Sequence, residues 1–551
     1  MDSRIAGSPG ARPTGSSPPG GRAASWVTHL LILILFELAL LVLSGASHSD
    51  IANHADEPAH FVTGLMVHDY LVDALGSNPM AFARDYYDRY PKVAFGHWPP
   101  VYYLIQAAWY CGFGPTKASA LLLSGAIGTA IAGCLYWRLK PTYGVGLALT
   151  QALVLLTLPL VRTFSSLVMS DLLVSLFTLL AVWSFADFLH GRRNRHILGF
   201  VVWSGLGLMT KGNAAALILL PFLALPMTST YRLLRARNAW LAALLLILAC
   251  ASLLGLMFSL DPQQISHFVI RIFWLPERPW MRLIALPNLW NAVGPLIAGV
   301  ALIGAMDALR IRPSAPDAAG WVLDARVSLA WIISVLGFTV LSPIGDEPRY
   351  ILPAIPAVLL LGTRGLFVLR GRIDRWVPAG GDLLVIPLAM VLVVAAPGRS
   401  GDRVSGYEAV ARSIPPAADG QVILISSNSI GEGAFVVERR LLDSRRRGKV
   451  LRGSKALGRS SWFGSDYEAT FHSTEELHQF LIHERISHIV LDDFKPRGQD
   501  VEPHHDLLRR FLVGNQKDYV LLSSFTMTEG GRRSVGAVQV YQRLQARDPS
   551  T

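Results

Sequence analysis

Long apolar stretches recur along this chain, and they restrict its fold more than any other feature. After a first run at 26–46 they lie at about 117–138, 143–161, 166–188, 197–209, 213–228, 238–258, 289–308, 327–344, 350–369 and 381–397. A helix needs roughly 20 apolar residues to cross the hydrocarbon core of a bilayer. Several stretches reach that length, and the shorter ones are expected to be tilted or broken. The sequence therefore predicts a mainly α fold, a polytopic transmembrane helical bundle of about 11 spans. The pair flanking Lys211 also reads as one long kinked helix. Arg4, Arg12 and Arg22 before the first run raise the rival reading of a signal peptide. That run is longer than a usual signal core and many spans follow, so a retained helix is expected.

Charged residues make up 16% of the 551, against about 25% in soluble domains. A net charge of +11 suits nucleic acid, anionic lipid or cytoplasmic loops. The arginine positions favour the loops. With the N-terminus inside, the short inner loops hold Arg138 and Lys140; Arg192, Arg193 and Arg195; Arg232, Arg235 and Arg237; Arg310 and Arg312; and Arg370, Arg372 and Arg375. The outer turns near Arg162, Lys211 and 346–349 lack such clusters. This alternation places the 46–116 loop, the 261–288 loop and the C-terminus outside, and no nucleic-acid partner is expected. Cys111, Cys134 and Cys250 are scattered through apolar sequence and build neither a disulfide framework nor a metal knuckle.

Three regions are expected. Residues 1–25 are Pro, Gly, Ser and Arg with little to bury, which predicts a disordered tail. Residues 26–397 form the membrane domain, with a first outer loop at 46–116 too long to be idle. Residues 398–551 turn soluble: VILISS, SHIVLDD, YVLLSSF and AVQVYQR read as strands, and TEELHQFLIHERI and HHDLLRRFLVG as amphipathic helices. They predict a small α/β domain on the outer face.

The first outer loop carries Asp56-Glu57-Pro58 at the start of a helical pattern. Its plain reading is capping, with Asp56 as N-cap, Glu57 favoured by the helix dipole and Pro58 in the first turn. Further on, Gly96-His97-Trp98-Pro99-Pro100-Val101-Tyr102-Tyr103 suits an interfacial aromatic belt as well as a site. Asp171 falls about one turn inside a span, where an ionisable group is functional or paired. Glu37, midway along the first helix, reads as a protonated or hydrogen-bonded packing group. Lys211 and the Arg349-Tyr350 pair sit at outer helix ends, where each cation alone could be snorkelling. Two cations and two carboxylate sites on one membrane face suggest more than that.

These residues carry a resemblance. An acidic pair after the first helix, then H-x-P-P-x-Y-Y, an acid opening a later span, a T-K-G turn and P-R-Y-x-L-P-x-x-P follow in order. The pattern resembles the GT-C superfamily, in its bacterial branch similar to protein O-mannosyltransferases and the lipid A aminoarabinose transferase, over residues 26 to about 370. The resemblance implies transfer of a sugar from a polyprenyl-phosphate donor to a glycan, lipid or protein acceptor, at the outer face of a bacterial inner membrane. It implies catalytic roles for Asp56, Glu57 and Asp171. It also implies carrier-phosphate contacts for Lys211 and Arg349. His60 and His97 add imidazoles that depart from the family pattern, and with Tyr102 and Tyr350 they are candidate substrate contacts. Some members hold a divalent metal between such acids, which would be Asp56 and Asp171 here; others need none.

The chemistry is consistent. A lipid-phosphate donor is already activated, and the chain shows neither a P-loop nor a dinucleotide fingerprint, so no nucleotide cofactor is expected. Transfer needs a carboxylate to take the acceptor proton and cations facing the departing phosphate. Attack opposite the leaving group would invert the anomeric centre. His48, His54, His60 and His68 have spacings that do not indicate a metal site, and Glu502-Pro503-His504-His505-Asp506 reads as a solvated helix start. A transporter or flippase of a lipid-linked glycan is the alternative, without the inverted repeat common in transporters. A non-catalytic scaffold would not gather polar groups on one face.

Overall fold

The computed structural model describes residues 19–94, 96–260, 283, 285–311, 319–341, 347–374, 403–459, 467–494, 502–530 and 532–544. Among these, seven helices are long and apolar enough to cross a membrane. Val145–Thr157 and Pro159–Ser165 form a further pair, bent by 68°. The bend falls at Leu158-Pro159, where proline's missing N–H and fixed φ interrupt a helix. The difference from about eleven spans has a local cause. The expected spans on either side of Lys211 are a 15-residue helix, Asn194–Leu208, and a ten-residue helix, Leu219–Thr228. A 3-10 turn, Gly212–Ile218, separates them. The stretch expected at 381–397 and most of the 261–288 loop lie outside the described residues. The first helix begins at Pro19, inside the tail expected to reach residue 25. Arg22, Ala23 and Ala24 are good helix formers.

The long segment at 46–116 is folded. Helix α1 (Pro19–Leu43) leads into α2 (Glu57–Asp73), α3 (Pro79–Arg89) and α4 (Val101–Phe113). Asn78 caps α3 by accepting from the N–H groups of Met80 and Ala81, and Pro79 sits in its first turn. Thr116 caps α5 (Lys117–Tyr143) in the same way through the Ser119 N–H. The midspan carboxylate Glu37 is 2% exposed and faces α5, where the missing side chains of Gly125 and Gly128 make room for it.

At the other end of the bundle Arg138 ties Asp187 (2.7 Å) and Asp324 (2.6 Å) together. Arg326 donates to the carbonyls of Met227, Ala308 and Ile311. Buried cations are tolerated where every donor finds a partner. Here they staple helix ends.

The C-terminal domain is built on a six-stranded sheet. Strands β1 (Val404–Ser405), β2 (Val422–Ser426), β3 (Lys449–Arg452), β4 (Ile486–Asp492), β5 (Tyr519–Glu529) and β6 (Arg532–Arg543) take the order β1-β5-β6-β4-β2-β3. β2 pairs in parallel with β3 and β4, and the other pairings are antiparallel. The parallel centre reads as near-continuous apolar runs because helices cover both its faces.

This domain docks on the 46–116 segment. Asp50 accepts from the N–H groups of Gly406 and Tyr407, both at 2.8 Å. Lys117 lies 3.1 Å from both Glu408 and Glu438. Arg440 is paired with Asp69 and donates to the Tyr86 hydroxyl at 2.7 Å. The apolar side chains of the loop and of the domain form one continuous core around Phe61, Tyr90, Tyr407 and Phe435.

Candidate active site

Four segments far apart in sequence bring their charged residues to the end of the bundle that faces the C-terminal domain. Asp56 stands just before α2, but it is not a cap: its side chain makes no capping hydrogen bond and its backbone is already helical (φ −85°, ψ −20°). The carboxylate instead accepts from Arg349 Nη1 at 2.9 Å. Arg349 opens the 3-10 turn Pro348–Ala354 and is also 2.7 Å from Glu347. Burial works to raise the Asp56 pKa, but the Arg349 guanidinium, with His54, holds it at about 2. Asp56 is therefore ionised at neutral pH.

A second ion pair lies beside the first. Asp171 is fully buried at the start of Asp171–Gly191 and accepts from Lys211 Nζ at 2.6 Å. Its other oxygen, Oδ2, is buried with no hydrogen-bond partner. The Tyr350 ring lies against both cations, 5.6 Å from Lys211 and 5.4 Å from Arg349, within cation–π range. Isolated cations reaching for headgroups would not meet in this way.

Glu57 faces elsewhere. It is buried, and its two oxygens accept from the backbone N–H groups of Asn53 and Val168, each at 3.0 Å. Burial pushes its pKa up, against the pull of those amides and of Arg403. Its geometry is that of a clip joining the start of α2 to the turn that presents Asp171.

The aromatic motif lines the same region. His60 is buried, stacks on Trp98 (4.1 Å between ring centres) and shares a 2.8 Å hydrogen bond with the Tyr103 hydroxyl. Burial holds this imidazole well below its usual pKa, so it is neutral. Tyr102 meets the edge of His60, and His97 the edge of Trp98. Sequence reasoning left Tyr103 and Glu347 out of the site. Tyr103 follows Tyr102 directly, and a sequence does not say that two adjacent tyrosines both turn inward, as these do. Glu347 shows itself only once Arg349 is placed.

The comparisons with known proteins agree with this architecture. Residues 97–255 match the family model described as dolichyl-phosphate-mannose-protein mannosyltransferase. Comparison with curated protein sequences finds no match. Among solved structures, ArnT from Cupriavidus metallidurans in its apo state is similar with a TM-score of 0.60 and 15% identity, over 94% of this chain and 98% of that one. The same protein bound to undecaprenyl phosphate gives 0.58 and 13%, over 95% and 98%. The fold is similar to that of ArnT over nearly the whole of both chains. The apo oligosaccharyltransferase of Archaeoglobus fulgidus is also similar, with a TM-score of 0.53 and 11% identity over 85% of this chain and 69% of that one.

In this chain the described residues do not fit a divalent ion. Each of the two acids named for one already binds a cation, and no group of three His, Cys, Asp or Glu side chains converges among the described residues. A metal would have to displace Lys211 and Arg349 from the two acids that would hold it. No step below is routed through one.

Proposed function

We propose that this chain transfers a sugar from a polyprenyl-phosphate-linked donor to an acceptor hydroxyl, with inversion, on the outer face of a bacterial inner membrane. The observation that carries this reading is the pair of ion pairs, Asp56–Arg349 and Asp171–Lys211, gathered around Tyr350 at one end of a membrane bundle. That arrangement holds two cations for a departing phosphate and a carboxylate for the incoming hydroxyl.

The ion pairs also suggest an order of events. A carboxylate held at about 2 is a poor base for a hydroxyl. A donor phosphate arriving at Arg349 and Lys211 competes for their charge and loosens their hold on the carboxylates. Asp56, still buried, then becomes more basic and accepts the acceptor proton as the new glycosidic bond forms. The C1–oxygen bond to the phosphate breaks on the opposite side, and the two cations take up the developing negative charge. Neutral His60, fixed by Tyr103 and stacked on Trp98, and the Tyr102 and Tyr350 rings form the apolar and hydrogen-bonding wall for the sugar.

The outward orientation draws on the basic loops, which lie toward the opposite end from these acids. Catalytic use of Asp171 draws on its unpartnered buried oxygen. The test is transfer by the purified full-length protein from radiolabelled polyprenyl-phosphate sugars in detergent, with the anomeric configuration of the product determined. Labelled product of inverted configuration supports the reading. No transfer from any donor, or retained configuration, overturns it.

A further inference from the structure

The C-terminal domain reaches the turn before Asp171 through Arg403. This residue precedes β1, is half-buried and donates to Ser166 twice, from Nη1 to the carbonyl (3.1 Å) and from Nη2 to Oγ (2.6 Å). Ser166 ends the helix Pro159–Ser165, and its hydroxyl donates back to the Thr163 carbonyl at 3.0 Å. The Leu167 carbonyl that follows accepts from Ser124 Oγ on α5 at 2.7 Å. Satisfying the guanidinium does not explain this placement, because Arg403 Nε is buried with no hydrogen-bond partner among the described residues.

These contacts belong to a closed ring. The Val168 N–H donates to Glu57, whose second oxygen accepts from the Asn53 N–H, each at 3.0 Å. Asn53 Oδ1 in turn accepts from the N–H of Val404, the residue after Arg403, at 3.3 Å. Burial draws the Arg403 pKa down and the Glu57 carboxylate opposes it, so the two groups lie in each other's field. Both proposed acids sit beside this ring. Asp56 directly precedes Glu57, and Asp171 lies three residues beyond Val168. The ion pairs bind each acid to its own cation; the ring joins the segments that carry the two acids. Docking alone does not call for Arg403. The Arg440–Asp69 pair, and Lys117 with Glu408 and Glu438, already hold the domain to the 46–116 segment and to the start of α5.

We propose that Arg403 is a positioning residue for transfer: through Ser166 it fixes the turn that presents Asp171, so that the C-terminal domain sets the spacing of Asp171 and Asp56. The inference rests on the transfer reaction proposed above. Misplacing reacting groups by about 1 Å costs about a hundredfold in rate, so a turn held from three sides acts directly on kcat. Lys211 and Arg349 stand on other segments, and donor binding is accordingly spared.

The test uses the full-length protein in detergent and two readouts. Amide hydrogen exchange of the 164–170 peptide, read by mass spectrometry, reports the turn without any need for activity. Steady-state transfer from a radiolabelled polyprenyl-phosphate sugar reports the reaction. Arg403→Met is expected to speed exchange about tenfold and to lower kcat about tenfold, with donor KM within about twofold of wild type. Ser166→Ala removes one of the two acceptors and should move both readouts the same way by about threefold, which keeps the test open if Arg403→Met folds poorly. Arg446→Met is the docking control: it removes a 2.9 Å tie to Asp73 and should leave both readouts unchanged. Combined with Glu57→Gln, Arg403→Met should add no more than about threefold to the loss of kcat, because both variants act on one turn. Unchanged exchange in Arg403→Met overturns the inference. So does faster exchange with the kcat of wild type, or an equal loss of kcat in Arg446→Met. Failure of the transfer reading appears separately, as absent transfer by the wild type, and the exchange contrast then still decides whether Arg403 holds the turn.

Discussion

The Arg349 guanidinium is 2.9 Å from the Asp56 carboxylate, across 293 residues of sequence. This contact turns a residue that reads as a helix cap into the centre of a buried charge cluster. It also joins the two ends of the membrane domain, because Asp56 precedes the second helix and Arg349 opens one of the last described spans.

Asp56→Asn should reduce transfer by about a hundredfold or more, since the amide keeps the size and one hydrogen bond but takes no proton. Melting temperature should fall somewhat, because buried Arg349 loses the Asp56 charge and keeps only Glu347. An active variant with a lowered melting temperature would instead make Asp56 a structural residue. Initial rates beside a thermal melt separate the two.

The pH dependence follows from the same pair. The Asp56 pKa is lowered in the folded chain, so the stability it contributes is present above its unfolded value and lost as pH falls toward about 2. The acid limb of kcat/KM that belongs to Asp56 should accordingly lie near the bottom of the accessible pH range. Arg349→Met removes the main force lowering that pKa and leaves burial, which raises it. The limb should then move up by at least one pH unit and the donor KM should rise, as a pH–rate series on both proteins will show.

Glu57→Gln should act on position and not on charge transfer. A carboxamide presents a single acceptor oxygen to the Asn53 and Val168 amides, leaving one buried N–H unsatisfied at a cost of about 1–3 kcal/mol. The expected result is a lower melting temperature and a reduced kcat with donor KM nearly unchanged. A hundredfold loss of kcat with no change in melting temperature would return Glu57 to the chemistry.

The sequence showed the membrane class, the C-terminal α/β domain and the residues Asp56, Asp171, Lys211 and Arg349, because apolar run length and misplaced charge are local signals. It did not show how those four residues pair. Asp171 with Lys211 and Asp56 with Arg349 are long-range choices, made by helix packing. The D-E-P order looked like capping because the first turn of a helix selects the same residue types. The spans around Lys211 were overcounted because a 3-10 break between two short helices has the hydropathy of two spans. The His504-His505 segment looked like a solvated helix start, yet both side chains are buried, His505 between Ser426 (2.9 Å) and Asp493 (3.0 Å). The loss of exposure comes from the parallel strand ends packed against it, which are distant in sequence.

Chelation supplies an independent check on the charge balance. With Asp171 bound to Lys211 and Asp56 to Arg349, the site has little call for a divalent ion. Transfer measured before and after exhaustive dialysis against EDTA should agree within about twofold, below the 1.4 kcal/mol that a tenfold effect represents. A loss restored by Mg²⁺ or Mn²⁺ would show that the two cations move aside to admit a metal.

Gly433 tests whether the C-terminal domain belongs to the active site. A Cβ at this position would sit 2.8 Å from Pro58 and 2.9 Å from Lys92, closer than carbon atoms pack. Pro58 is buried in the first turn of α2 and cannot yield, whereas Lys92 is the far end of a flexible chain. Gly433→Ala should therefore be absorbed only in part: the lysine moves aside, but the contact with Pro58 must be met by a small shift of the domain helix, at a cost of about 1–3 kcal/mol. Gly433→Val adds two more carbons against the proline and should cost more than the alanine variant as the domain shifts further. Because Asp56 and Arg349 belong to the membrane domain, donor binding should survive that shift. Acceptor KM should rise in the valine variant and much less in the alanine variant, and steady-state kinetics with each substrate varied in turn will show it. Equal kinetics in all three proteins would mean that the domain covers the loop without entering the reaction.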